Sequence, residues 1–157
     1  MNLDTLKLLE SSASKHLFDA GSGSRLVVEP HAPGMYRLRI GESDAVASDL
    51  PARPRARAQA EMLLARAEVI GEAELTVVQE PASWLIRHGQ TGVILGQSPF
   101  RISLVRFDEE DRMHPVASST SDGICHQDGH WSVAMELRPD EAVHGLGQTS
   151  TDLNRRG

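Results

Sequence analysis

The chain has 157 residues, 39 % of them hydrophobic and 24 % charged, which fits one globular domain and excludes a disordered segment. Its net charge of −6 at neutral pH repels phosphate backbones, so no nucleic-acid partner is expected. Cys125 is the single cysteine, so no intrachain disulfide can form and nothing points to an oxidising compartment. No apolar stretch approaches the roughly 20 residues that cross a bilayer. Met1 to Glu10 also lacks the basic-then-apolar order of a signal peptide, and the expected location is cytoplasmic, away from membranes.

In chain order, Leu3, Leu6, Leu9, Ala13 and Leu17 fit helical spacing loosely, but Ser11, Ser12 and Ser14 compete for backbone groups and weaken a helix there. Residues 21–24, Gly-Ser-Gly-Ser, form a turn; Arg25 to Glu29 reads as a strand and His31 to Gly34 as another turn. Met35 to Ile40 alternates, with Tyr36, Leu38 and Ile40 on one face and Arg37 and Arg39 on the other, as a half-buried strand requires. Residues 43–71 break this pattern. Arg55 to Ala67 is rich in Ala, Arg, Leu and Met and reads as one helix, or alternatively as a long insert over a sheet.

Strands resume at Glu74 to Gln79, Ser83 to His88 and Val93 to Leu95. Phe100 to Leu104 alternates strictly, and the phase slips at Val105 and Phe107, the signature of a bulge or a strand end. Asp108 to Asp111 reads as an acidic turn and Ser118 to Gly123 as a polar loop. Asp128-Gly129 is the favoured pair for a two-residue hairpin, flanked by Ile124 to Gln127 and His130 to Leu137. Trp131, Val133, Met135 and Leu137 share one face of the second arm. Strands separated by turns, with helix confined to one insert, predict a mainly β fold, an antiparallel sandwich. Its expected core is Tyr36, Leu38, Ile40, Trp84, Ile102, Leu104, Trp131, Val133 and Met135.

Candidates for chemistry are few. Cys125, His126 and His130 lie close together, but a hairpin through Asp128-Gly129 sends neighbours to opposite faces, and no second ligand pair stands at metal-site spacing, so neither metal nor cofactor is expected. The acids Asp108, Glu109, Glu110 and Asp111 sit in a solvated turn with nothing apolar to raise a pKa. No Gly-x-Ser-x-Gly elbow is present. Gly145-Leu146-Gly147 lacks the third glycine and the following helix of a dinucleotide loop.

The last twenty residues are more informative. Leu137 to Gln148 reads Leu-Arg-Pro-Asp-Glu-Ala-Val-His-Gly-Leu-Gly-Gln, and Asp152 to Gly157 reads Asp-Leu-Asn-Arg-Arg-Gly. This resembles family 31 glycoside hydrolases of the α-glucosidase and α-xylosidase type, where Pro-x-Glu is followed by an aromatic residue, Gly-Leu-Gly-Glu, and then Leu-Asn/Asp-Arg/Lys-Arg-Gly. Pro139, Glu141, Gly145, Leu146, Gly147, Leu153, Asn154, Arg155, Arg156 and Gly157 match. His144 stands in place of Tyr or Phe and Gln148 in place of Glu, swaps that keep a ring and an amide-like shape.

The resemblance implies a galactose-mutarotase-like β-sandwich at the front of the enzyme, with a catalytic (β/α)₈ barrel downstream in the same polypeptide. That barrel supplies both catalytic aspartates for retaining hydrolysis of an α-linked glycoside. It implies no catalytic residue in this chain, and it places Gly145, Leu146, Gly147, Gln148, Asn154, Arg155, Arg156 and Gly157 near the active-site rim. On this reading residues 1–157 are one N-terminal domain cut short of its last strands, inactive alone, and inclined to self-associate through an uncovered edge or apolar face. The alternatives are a stand-alone carbohydrate-binding module, for which Trp84 and Trp131 are the large aromatic candidates, and a structural interaction module.

Overall fold

The computed structural model describes residues 5–32, 34–42, 46, 75–127 and 130–141. The helix expected over 55–67 and the glycine motif lie outside the described residues. Strands β1 (Lys7–Ser11), β2 (His16–Asp19), β3 (Ser24–Ala32) and β4 (Met35–Glu42) form a four-stranded sheet in that order. Strands β5 (Thr76–Glu80), β6 (Ser83–His88), β7 (Thr91–Gly96), β8 (Arg101–Phe107), β9 (Met113–Gln127) and β10 (His130–Met135) form a six-stranded sheet, also in chain order. Every neighbouring pair is antiparallel. The fold is thus the expected antiparallel sandwich.

Short turns hold this meander together. Ala32 faces Met35 across β3 and β4, and Gly34 in their connection has φ +74, a backbone region that a side chain disfavours. Gln127 faces His130, so β9 and β10 join through two residues, as Asp128-Gly129 predicts.

Register sets the core. In the smaller sheet Phe18, Leu26 and Ile40 align in one row, and His16, Val28 and Leu38 in the next. In the larger sheet Trp84, Leu95 and Ile102 align, as do Ile86, Val93 and Leu104. These rows meet in one cluster that also takes in Leu6, Ala20, Leu75, Phe100 and Ile124. The Phe18 ring meets Trp84 edge-on at 5.4 Å between centroids, and the Trp84 indole N–H donates to the Leu6 carbonyl at 3.2 Å. Phe18, Leu26, Val28, Ile86, Val93 and Leu95 are fully buried, each stabilising the fold by about 1.5–3 kcal/mol relative to exposure. Tyr36, Leu38, Ile40, Ile102 and Leu104 pack against this cluster while half-buried, and Trp84 is buried.

Four expectations need correction. The first twenty residues carry no helix where they are described: β1 and β2 pair as a hairpin, because His16 and Phe18 gain burial on alternate positions of a strand. The chain from His31 is not all turn, since β3 runs to Ala32. Ser118 to Gly123 is not a loop but part of β9. Two of its hydroxyls bond across the ladder: Ser118 donates to Ser103 at 2.9 Å, and buried Ser119 accepts from the Ile102 N–H at 3.1 Å. The loop-like composition survives as a large bulge, for Ile124 faces Val133 while Ser119 faces Met135, so the four residues 120–123 of β9 lie against Ala134 alone in β10.

The fourth correction is the face of β10. Val133 pairs with buried Ile124 and Met135 with buried Ser119, so both belong to the inward-facing side. Yet Val133 is 62 % and Met135 43 % exposed. A four-stranded sheet does not cover a six-stranded one, and β10 is the outermost strand. The side chain of Trp131 lies outside the described residues.

The bulge or strand end expected after Leu104 is present: Leu104 faces Ala117 and Val105 faces Pro115, leaving Val116 of β9 extra, and β8 ends at Phe107. Val105 and Phe107 are buried on the other face of the sheet. Gly92 lies beside Val105, where a Cβ would come within 3.1 Å of Val105 and 3.2 Å of Leu85, so the missing side chain lets those two approach. The Arg87 guanidinium covers the Phe107 ring at 3.9 Å.

Candidate functional site

The motif residues Gly145, Leu146, Gly147, Gln148, Asn154, Arg155, Arg156 and Gly157 lie outside the described residues. The segment that launches them is described. β10 runs antiparallel to β9, away from the hairpin at 127–130, and the Glu136 N–H donates to the Ser118 carbonyl at 2.8 Å as the chain leaves the sheet. Arg138 to Glu141 then forms a closed turn: the Glu141 N–H donates to the Arg138 carbonyl at 3.1 Å, and the Arg138 N–H donates to the Glu141 carboxylate at 3.0 Å. Pro139 sits where its fixed φ suits the first central position of a turn, and Glu141 satisfies the backbone donor three residues earlier. The Pro-x-Glu spacing therefore has a mechanical reason, which is to redirect the chain at the threshold of the glycine motif.

Three other turns gather at one end of the sandwich, whereas β10 ends beside Ser118 and Arg101, at the other end of β8. The β6–β7 turn approaches the β3–β4 tip, where the Thr91 methyl would lie 3.6 Å from a Cβ on Gly34. Tyr36 and Thr91 hydroxyls share a hydrogen bond of 3.0 Å between the sheets, and Thr91 also donates to the His88 carbonyl at 3.0 Å. Burial pushes the Tyr36 hydroxyl pKa up, against the opposing effect of the hydrogen bond it shares with Thr91. His88 is itself buried and meets Tyr36 edge-on at 6.4 Å. The β8–β9 turn joins this end through a hydrogen bond from the Phe107 N–H to the Gln90 carbonyl at 2.8 Å and an ion pair between Arg87 and Asp111 at 2.6 Å.

The acidic turn is solvated as expected at Glu109, Glu110 and Asp111, and Asp108 is the acid in it that organises the backbone. Asp108 accepts from the Glu110 and Arg112 N–H groups at 3.1 and 2.8 Å, from Arg112 Nε at 2.9 Å, and from His114 Nε2 at 2.8 Å. The hydrogen bond from His114, with those from Arg112 behind it, holds the Asp108 carboxyl down at about 2, below its ordinary 3.8. That is the opposite of what a general acid needs. Glu110 pairs with Arg112 at 2.8 Å, Glu136 with Arg101 at 2.6 Å and Glu29 with Arg39 at 2.9 Å. Asp19 meets Arg25 at 3.0 Å and Glu10 meets Lys15 at 3.2 Å. These carboxylates are committed to cations and turn backbone. None is shaped as one of two carboxyls facing a glycosidic bond.

Cys125 lies opposite Ser132, with 2.9 Å between sulfur and hydroxyl oxygen. In the backbone register His126 aligns instead with Trp131. Sequence reasoning missed the Arg87 contacts, which join residues distant in the chain. It also missed the role of Glu141, whose three-residue spacing from Arg138 was visible.

Over residues 25–157 the sequence matches the glycosyl hydrolase 31 N-terminal galactose mutarotase-like domain. The chain belongs to that family. No curated protein matches it. Among solved structures it is similar to a Flavobacterium johnsoniae GH31 dextranase complexed with glucose, and to a mutant of that dextranase complexed with isomaltotriose. Each match has 21 % identity and a TM-score of 0.66, and covers 99 % of this chain but 17 % of the dextranase chain. At that identity the likeness speaks for the fold, the two-sheet sandwich described above.

Proposed function

We propose that this domain is the non-catalytic front part of an α-glucosidase-type glycoside hydrolase. It supports a catalytic (β/α)₈ barrel in the same polypeptide and carries Gly145 to Gly157 to the rim of an active site that cleaves an α-linked glucoside or xyloside. One observation carries this reading: the family match runs through the whole glycine motif, while the carboxylates around the described sheets are spent on ion pairs and on the Asp108 turn. The Arg138–Glu141 turn is consistent with the rim role, because it is a closed, hydrogen-bonded turn just ahead of the motif in the sequence. Positioning of this sort matters, since a misplacement of about 1 Å far from the chemistry can cost on the order of a hundredfold in rate. The carbohydrate-binding alternative loses one of its two aromatic platforms, because Trp84 is buried and spends its N–H on Leu6.

The test has two arms. Titrating the chain with isomaltotriose, followed by amide chemical shifts, should give no saturable change; saturable binding would favour the binding-module reading. In a polypeptide that continues into the barrel, changing Arg155 and Arg156 to Ala should lower kcat/KM by at least about tenfold while the sandwich stays folded. Unchanged kinetics would remove the rim role.

A further inference from the structure

The imidazole of His16 is buried. Its Nδ1 lies 3.0 Å from the Ser11 hydroxyl, and its Nε2 is enclosed without a hydrogen-bond partner. A neutral ring fits this site: Nδ1–H donates to Ser11 and Nε2 keeps a bare lone pair. A protonated ring carries a donor on both nitrogens, and the one on Nε2 meets no acceptor, so a buried charge and an unmet donor arise together. The cover over the ring is slight. Ser11 closes β1, an outer strand exposed at four of its five positions, and a register shift between Leu8 and Glu10 interrupts its ladder with β2. The turn that follows is exposed at Ser12, Ala13 and Ser14, and the Leu75 N–H ties it to the start of the larger sheet by donating to the Ala13 carbonyl at 3.0 Å. Both ends of this stretch are anchored. Leu6 is buried, accepts from the Trp84 indole and donates its N–H to the Gln97 side chain at 3.0 Å. Phe18, two residues past His16, is fully buried.

We propose that Lys7 to Lys15 is an acid-operated flap: when His16 takes up a proton, this segment lifts away from His16 and Leu75 and admits water to the ring, while Leu6 and Phe18 hold their places and the other strands stay paired. An outer strand with little burial is the part of a fold that opens at least cost. Burial lowers the His16 pKa below the ordinary 6.5, which an opened and hydrated ring recovers. The open form therefore binds the proton more readily, and opening is favoured as the pH falls below about 6.5. No carboxylate among the described side chains of β1 to β6 stands by to hold the imidazolium in place. The charged side chains of β1 to β4 alternate to the outer face, where Asp19 pairs with Arg25 and Glu29 with Arg37 and Arg39, and Lys7 aligns with Asp19. Glu10 is held by Lys15 of the turn. Glu80 of β5 and Arg87 of β6 also face outward, and the other described titratable side chains turned inward on these strands, Tyr36 and His88, meet each other. The inference concerns this chain alone and does not rest on the role proposed above.

Amide exchange of the chain, expressed as protection relative to the unfolded sequence, tests it. Between about pH 7.5 and about pH 5.5, opening should rise by up to about tenfold, read as lost protection at the Leu75 amide, whose bond to Ala13 the flap supplies, and along the β1–β2 ladder. That exchange should not respond to urea well below the unfolding midpoint, because a local opening exposes little surface, whereas exchange at Val93 and Leu95 in the core should quicken with urea. His16→Leu should abolish the pH dependence at Leu75. Ser11→Ala, at an exposed position, gives a second readout that leaves the core intact: with Nδ1 deprived of its partner, opening at about pH 7.5 should rise about fivefold. Protection at Leu75 that ignores pH, a urea response at Leu75 equal to that at Val93, a pH dependence that survives His16→Leu, or unaltered exchange in Ser11→Ala would each overturn the proposal.

Discussion

Trp84 joins the two sheets, and its replacement gives the most informative stability measurement. The indole is buried, its ring meets Phe18 edge-on, and its N–H satisfies the carbonyl of Leu6 just ahead of β1. Trp84→Ala removes a large aromatic from a filled core, which costs about 3–5 kcal/mol. Trp84→Phe keeps most of the apolar contact but leaves the Leu6 carbonyl without its donor, a loss of about 1–3 kcal/mol. For a domain of this length about 1 kcal/mol moves the midpoint by roughly 2–4 °C, so the alanine variant should melt about 6–20 °C lower. Urea unfolding should show both losses as a lower midpoint at unchanged slope. A loss below about 1 kcal/mol for Trp84→Ala, or equal losses for Phe and Ala, would refute the placement of this residue between the sheets.

Other expectations follow from single contacts. His16 is buried, with Nδ1 3.0 Å from the Ser11 hydroxyl, and burial lowers its pKa below the ordinary 6.5. The unfolded chain then binds the proton more readily, so this residue's contribution is complete above about pH 6.5 and is lost as the pH falls below it. His16→Leu should flatten the pH dependence of the urea midpoint in that window; an unaltered slope would contradict the burial. Asp108 works over a lower range: held at about 2 against an ordinary 3.8, it should contribute fully above its ordinary value and lose that contribution as the pH falls toward about 2. Asp108→Ala should speed amide exchange at Glu110 and Arg112, whose N–H groups it accepts from. Glu141→Ala should destabilise the fold by no more than about 1 kcal/mol, yet loosen the turn that begins at Arg138, seen as faster exchange of the Arg138 amide.

What could be read from the sequence follows from where the physics is local. Alternation at 35–40 and 100–104 marked strands and faces, because period-two burial is written in consecutive residues. The Asp128-Gly129 hairpin was legible for the same reason. The exposure of Val133 and Met135 was not, since it depends on the unequal number of strands in the two sheets and on the position of β10 at the edge. Ser118 to Gly123 misled because a polar run satisfied by Ser103 and by the Ile102 N–H looks like a loop until its cross-strand partners are known. In the candidate site, the motif residues 145–157 announced themselves through their order. The turn that precedes them needed the structure to show why Pro139 and Glu141 stand where they do.

The proposal at the centre of this account is that the domain supports glycoside cleavage without performing it. Retaining hydrolysis needs two carboxyl groups about 5–5.5 Å apart across the scissile bond, one of them raised in pKa, whereas Asp108 is held down by His114 and Arg112. The direct measurement is an assay of the purified chain, at high concentration, with an activated aryl α-glucoside and an aryl α-xyloside. The account predicts no turnover above the uncatalysed rate. Turnover that persists through repurification and disappears in Asp108→Asn would contradict it.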